Sequence, residues 1–216
     1  MKRRNKLLLG GISAGTVIAG AAAIAGTVTA ARRAVRALGD LRGDDLRGRT
    51  VLITGGSRGL GLAMAEEFAR HGAKIMLCAR DEGELMRARQ QVEMRGGAEV
   101  GAVTCDVSKP QQVQHMIEAA RRQFGRIDIL VNNAGIISVG PLTTQTVEDF
   151  QEAMDVMFWG TVHPTLAVLP EMLERQQGSI VNITSIGGKV SVPHLVPYSC
   201  AKFAAVGFSE GLHAEL

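Results

Sequence analysis

From Thr50 onward, apolar residues fall into two alternating patterns. Short apolar runs rich in Val, Ile and Leu occupy 50–54, 73–79, 98–104, 128–132 and 179–184. Between them, apolar residues recur every third or fourth position over 60–71, 81–95, 110–124 and 146–176. The first pattern predicts strands buried on both faces, the second amphipathic helices. Strand, helix and strand joined by short links make parallel neighbours, because a strand rejoins its sheet in the same direction only after a crossover. The predicted fold class is therefore α/β, a doubly wound parallel sheet of about five strands over residues 48–216. Ligands of such sheets bind at the carboxyl ends of the strands.

Upstream the pattern changes. Lys2, Arg3, Arg4 and Lys6 precede an uncharged run, Leu7 to Ala31, which Arg32, Arg33 and Arg36 follow. A helix of that length crosses roughly 30 Å of hydrocarbon, and Gly11 and Gly15 stand four apart as in closely packed membrane helices. Residues 1–31 are read as an N-terminal hydrophobic helix that anchors the chain in a membrane. The alternative is a cleaved export signal, since Val28-Thr29-Ala30 is an acceptable small-residue cleavage site and Arg3-Arg4 resembles a twin-arginine leader. Lys6 stands where that leader wants a bulky apolar residue. Residues 32–47 are read as a basic linker.

Charge separates these parts. Residues 1–49 hold ten Lys/Arg against three Asp/Glu (net +7), and the remainder holds 14 against 18 (net −4). The overall net charge of +3 is thus no sign of a nucleic-acid surface, and no nucleic-acid partner is expected. Cys78, Cys105 and Cys200 lack metal-ligand spacing; they read as buried, reduced thiols, and no metal site is expected.

Two local motifs carry chemistry. Val51 to Gly61 is an apolar run ending in a glycine-rich turn that opens an amphipathic segment. Gly55, Gly59 and Gly61 remove side chains where backbone turns tightly and approaches a pyrophosphate, and the helix N-terminus supplies free N–H groups. Tyr198 and Lys202 are four apart, so on a helix they share a face. An ammonium beside a phenol favours its ionised form and brings proton exchange closer to neutral pH.

Four motifs together resemble the short-chain dehydrogenase/reductase family over roughly residues 47–216. They are Thr54-Gly55-Gly56-Ser57-Arg58-Gly59-Leu60-Gly61, Cys105-Asp106-Val107, Asn132-Asn133-Ala134-Gly135, and Ser185 with Tyr198-Ser199-Cys200-Ala201-Lys202. The resemblance implies a Rossmann-like sheet and an oxidoreductase that interconverts a carbonyl and an alcohol by hydride transfer. Tyr198 would exchange the proton, Lys202 would hold the nicotinamide ribose and tune Tyr198, and Ser185, at the end of the fifth strand, would bond the substrate oxygen. Asp106 and Val107 would lie beside the adenine, and Asn133, Ala134 and Gly135 would line the nicotinamide side. Thr54 and Asn132 would tie strands and turn together.

The second strand run ends Cys78-Ala79-Arg80 where an NAD site commonly ends in an acidic residue for the ribose 2′-hydroxyl, although Asp81 follows directly. Arg80 and Arg58, with Ser57, suit a 2′-phosphate instead, so NADPH or NADP+ is expected ahead of NAD(H). A soluble nicotinamide cofactor argues for a catalytic domain facing the cytoplasm rather than an exported one. The substrate is a small-molecule carbonyl or alcohol; Val190 to Val196, Leu142, Ile136 and Ile137 suggest an apolar one. A homodimer is typical of the family.

Two departures from the family pattern stand out. Met157-Phe158-Trp159-Gly160 places a thioether where the family has an asparagine, which predicts a weakened proton relay. The chain also stops where the family adds two strands and a substrate loop, so the resemblance reads as C-terminally incomplete, with the fifth strand at an edge. Together these support an alternative function, a non-catalytic dinucleotide-binding remnant or interaction protein.

Overall fold

A computed structural model describes residues 46–216 and, upstream of them, Thr29. The anchor or signal segment assigned to 1–31 lies outside the described residues except for Thr29, as does residues 32–45 of the linker. No helix among the described residues is long and apolar enough to cross a membrane. Leu46, inside the stretch read as linker, is buried in the core beside the first strand, so the packed body starts before residue 48.

Five parallel strands form one sheet: β1 (Thr50–Thr54), β2 (Lys74–Ala79), β3 (Val100–Thr104), β4 (Ile129–Asn132) and β5 (Ser179–Asn182). Their order is β3-β2-β1-β4-β5, so the winding reverses between β1 and β4. Register pairs Val51 with Ile75 on one side and with Ile129 on the other. β1 is fully buried, as expected of a central strand covered on both faces. β5 forms an edge of the sheet, yet all four of its side chains are buried.

The helices are α1 (Gly59–Arg70), α2 (Glu82–Gly96), α3 (Pro110–Phe124), α4 (Val147–Ala153), α5 (Gly160–Glu174) and α6 (Val196–Glu215). Two apolar clusters sandwich the sheet. One gathers Val51, Ile53, Phe68, Ile75, Leu77 and Leu85 on the α1/α2 face; the other gathers Leu52, Met76, Met116, Ile117, Leu130 and Met157 on the opposite face. Alternate residues of β1 and β2 thus serve opposite cores, the period-two rule of a strand.

The single helix expected over 146–176 is instead two helices joined by a π-helical turn, Met154–Trp159. Thr161 explains part of this, because its hydroxyl donates to the Met157 carbonyl at 2.8 Å and competes with regular helix bonding. Pro164, which lacks an N–H, follows within the first turns of α5. One further expectation is corrected: Cys78 and Cys105 are buried and free, but Cys200 is exposed on the outer side of α6.

Candidate active site

The glycine turn after β1 is held by side chains arriving from β4. Thr54, fully buried, uses its hydroxyl oxygen to accept from the N–H groups of Asn133 (3.0 Å) and Ala134 (3.1 Å). The Asn133 amide donates back to the carbonyls of Thr54 and Gly55, each at 3.0 Å. Asn132 donates to Thr165 Oγ1 and Asn182 Oδ1, tying β4 to α5 and β5. These bonds fix the ends of three elements where the strand order reverses, the place where open parallel sheets bind ligands.

A cleft of about 380 Å³ opens there. Gly55, Ser57, Arg58, Arg80, Asp106, Val107, Asn133, Ala134 and Gly135 of the expected set line it. Thr54, Gly59, Leu60, Gly61, Tyr198 and Lys202, also expected to bind the cofactor, do not; Leu60 packs partly against the core. Gly61 is buried so close to the turn that a Cβ there would lie 2.2 Å from the Gly55 carbonyl oxygen and 2.6 Å from Asn133 Nδ2. Arg58, the N-cap of α1, is extended and makes no side-chain cap bond, so the first N–H groups of the helix lack a side-chain acceptor at that position. A narrow glycine-rich turn, an uncapped helix start and flanking arginines fit a dinucleotide with its pyrophosphate over the turn.

The cleft also holds a residue that the sequence reading missed, Glu84. Asp81 and Glu84, from the start of α2, share a wall with Ser57, Arg58 and Arg80. Glu84 accepts from Ser57 Oγ at 3.4 Å and from Arg58 Nη1 at 3.3 Å. Asp81-Glu82-Gly83-Glu84 has the spacing of a helix capping box, and Asp81 does accept from the Glu84 N–H at 2.7 Å. The carboxylate of Glu84, however, faces the glycine turn. Asp106 accepts from the Ser108 N–H at 3.0 Å, while its own N–H donates to Gln112.

Beyond the Asn133–Ile136 wall lies the second cluster. Ser185 does not end β5, which stops at Asn182; it caps a 3₁₀ turn, Ile186–Gly188, accepting from the Gly187 N–H at 3.1 Å. Gly187 separates Ser185 from Tyr198 so narrowly that a Cβ there would lie 2.9 Å from Tyr198 Cε1 and 3.5 Å from Ser185 Oγ. Pro197 occupies the first turn of α6, where its missing N–H costs nothing. One turn on, Lys202 is buried with its Nζ 5.9 Å from the centre of the Tyr198 ring, and it donates to the Ile183 carbonyl at 2.9 Å. No carboxylate pairs with it among the described residues. Burial pushes its pKa down to about 8, because desolvation disfavours the charged form.

Ser185, Tyr198 and Lys202 therefore stand together. The Ile183 N–H donates to the Asn132 carbonyl, which places this cluster directly beside the cleft wall. Met157 lies beneath that wall, buried, with its Cγ and Sδ 3.8 Å from where a Gly135 Cβ would stand.

Residues 49–216 match the short chain dehydrogenase family. The chain belongs to that family. It is 38% identical over 181 residues to 11-beta-hydroxysteroid dehydrogenase A of Sesamum indicum, covering 82% of this chain and 51% of the relative. It is 38% identical over 175 residues to 3-dehydrosphinganine reductase of Danio rerio, covering 79% and 53%. Among solved structures, a short chain dehydrogenase/reductase from Burkholderia phymatum in complex with NAD superposes with a TM-score of 0.77 at 35% identity, covering 80% of this chain and 62% of that one. The chain thus spans about half the length of the two curated relatives.

Proposed function

We propose that this chain is an NADP(H)-linked oxidoreductase that interconverts an apolar carbonyl and its alcohol at Ser185, Tyr198 and Lys202. The observation that carries the reading is a buried lysine with no carboxylate partner among the described residues, one helical turn from the only tyrosine of the chain, whose ring faces Ser185 across a single glycine. The nicotinamide, when bound, supplies the hydride in reduction and receives it in oxidation.

In reduction Tyr198 donates its phenolic proton to the substrate oxygen as the carbonyl carbon gains the hydride, leaving an alcohol and a phenolate. Lys202 stabilises that phenolate through its positive charge and hydrogen-bonds the ribose. Ser185 donates to the same substrate oxygen and orients it towards Tyr198. Oxidation runs these transfers backwards. Thr54, Gly55, Gly59, Leu60 and Gly61 shape the turn under the pyrophosphate. Asp106 and Val107 would hold the adenine end, and Asn133, Ala134 and Gly135 the nicotinamide end. Ser57, Arg58 and Arg80 are the partners for a ribose 2′-phosphate.

The apolar substrate class rests on two loops that meet, one after β4 and one after Ser185. The Gly140 N–H donates to the His194 carbonyl at 3.0 Å, joining them. Around that junction Ile137, Val139, Leu142, Ile186 and Val190 are all exposed, a cluster that a water-soluble surface does not need. Steroid and sphingoid names among the relatives point the same way. Residues 1–31 are proposed as a membrane anchor that leaves the domain in the cytoplasm, and exposed Trp159, Leu166 and Phe203 suit a second copy of the chain.

Purified chain, assayed by loss of NADPH absorbance, is expected to reduce long-chain and polycyclic ketones faster than small polar ones. Equal rates across the two sets would overturn the apolar reading. Because Lys202 loses its charge as pH rises through about 8, the reduction rate is expected to fall above that pH. A profile that climbs steadily into the alkaline range would remove Lys202 from the mechanism.

Met157 favours a second reading. Its thioether neither donates a hydrogen bond nor accepts one well, and its carbonyl is already engaged by Thr161. Dinucleotide binding with no turnover on any carbonyl or alcohol would identify a non-catalytic binding remnant.

A further inference from the structure

The wall that faces the adenosine ribose carries a balanced charge. Arg58 and Arg80 stand there with Asp81 and Glu84, two cations against two anions. Asp81 is committed to capping α2 through the Glu84 N–H. Arg80 is exposed and has no ion-pair partner among the described residues. Glu84 is different, because its two carboxylate oxygens accept from Ser57 and Arg58, the groups assigned above to a 2′-phosphate.

We propose that Glu84 is a specificity-determining residue, one that restrains the preference for NADP(H) by holding Ser57 and Arg58 and by opposing the charge of a 2′-phosphate. This rests on the dinucleotide reading of the cleft. A phosphate monoester carries nearly two negative charges at neutral pH. To reach Arg58 and Ser57 it must displace the Glu84 carboxylate and then remain beside it. A ribose 2′-hydroxyl meets no such opposition, since it can donate a hydrogen bond to the same carboxylate. Arg58 is largely exposed, its side chain 80% accessible, while Glu84 is 33% accessible. Solvent therefore screens the repulsion, and the expected effect is moderate.

The test measures binding by the full chain, with no turnover required. NADPH, NADH and the fragments 2′,5′-ADP and 5′-AMP are titrated into the wild type, Glu84→Gln, Arg58→Gln and the double variant. Glu84→Gln keeps the shape and removes the charge. It is expected to tighten NADPH and 2′,5′-ADP by roughly three- to tenfold while leaving NADH and 5′-AMP unchanged or weaker. In the Arg58→Gln background the gain should shrink, because the two residues share one interaction. Glu84→Gln that shifts phosphorylated and unphosphorylated ligands equally, changes neither, or weakens NADPH overturns the proposal. A wild type that binds none of the four ligands overturns the dinucleotide reading itself, whereas ordinary NADPH binding without the Glu84 effect leaves that reading standing.

Discussion

Tyr198→Phe is expected to lower kcat/KM for carbonyl reduction by roughly 10²–10⁴-fold, the usual worth of a positioned general acid. The substitution removes one oxygen and nothing else. The ring stays wedged against Gly187 and above Lys202, so α6 and the Ser185 turn keep their packing and the thermal midpoint should hardly move. NADPH affinity should also hold, since the cleft that receives the dinucleotide is built from other residues. The decisive comparison is turnover against cofactor binding in one preparation. Turnover retained within a few-fold would mean that the proton comes from elsewhere and that Tyr198 only packs.

Gly61→Ala should act on the opposite end of the site and through sterics alone. The added methyl would stand 2.2 Å from a backbone oxygen and 2.6 Å from the Asn133 amide, both far inside contact distance. Neither neighbour can yield cheaply. The Gly55 carbonyl belongs to the turn, and the Asn133 amide is engaged with that carbonyl and the one before it. Overpacking of this kind costs about 1–3 kcal/mol. The turn is expected to open, lowering the thermal midpoint and weakening dinucleotide affinity by roughly 10- to 100-fold. Unchanged affinity in a titration with NADPH and NADH would show that the turn does not cradle the cofactor.

Much of this architecture is legible in the order of residues. The apolar runs that predict β1 to β5 agree with the observed strands to within a few residues, because a central parallel strand is buried on both faces and leaves an uninterrupted apolar signature. The glycine turn and the Tyr198–Lys202 spacing are equally local, since a turn of helix and a tight bend each involve only near neighbours. The break in the 146–176 helix was not legible. It draws in part on the Thr161 hydroxyl turning back on the Met157 carbonyl, and a threonine in an apolar helix carries no mark of that choice.

Glu84 illustrates the same limit. Its distance from Asp81 along the chain announces a helix cap, and the backbone half of that cap forms. Only the packing of α2 beside the glycine turn brings its carboxylate to Ser57 and Arg58, which lie 27 and 26 residues earlier. Sequence alone determined the fold class, the order and approximate positions of the strands, and the family, because each depends on short-range periodicity or on motifs whose members sit close together. Tertiary structure decided which charges line the cleft, that Lys202 is buried with no carboxylate beside it among the described residues, and that a single glycine lies between Ser185 and the Tyr198 ring. These depend on how distant elements meet, and that is governed by packing and desolvation rather than by spacing along the chain.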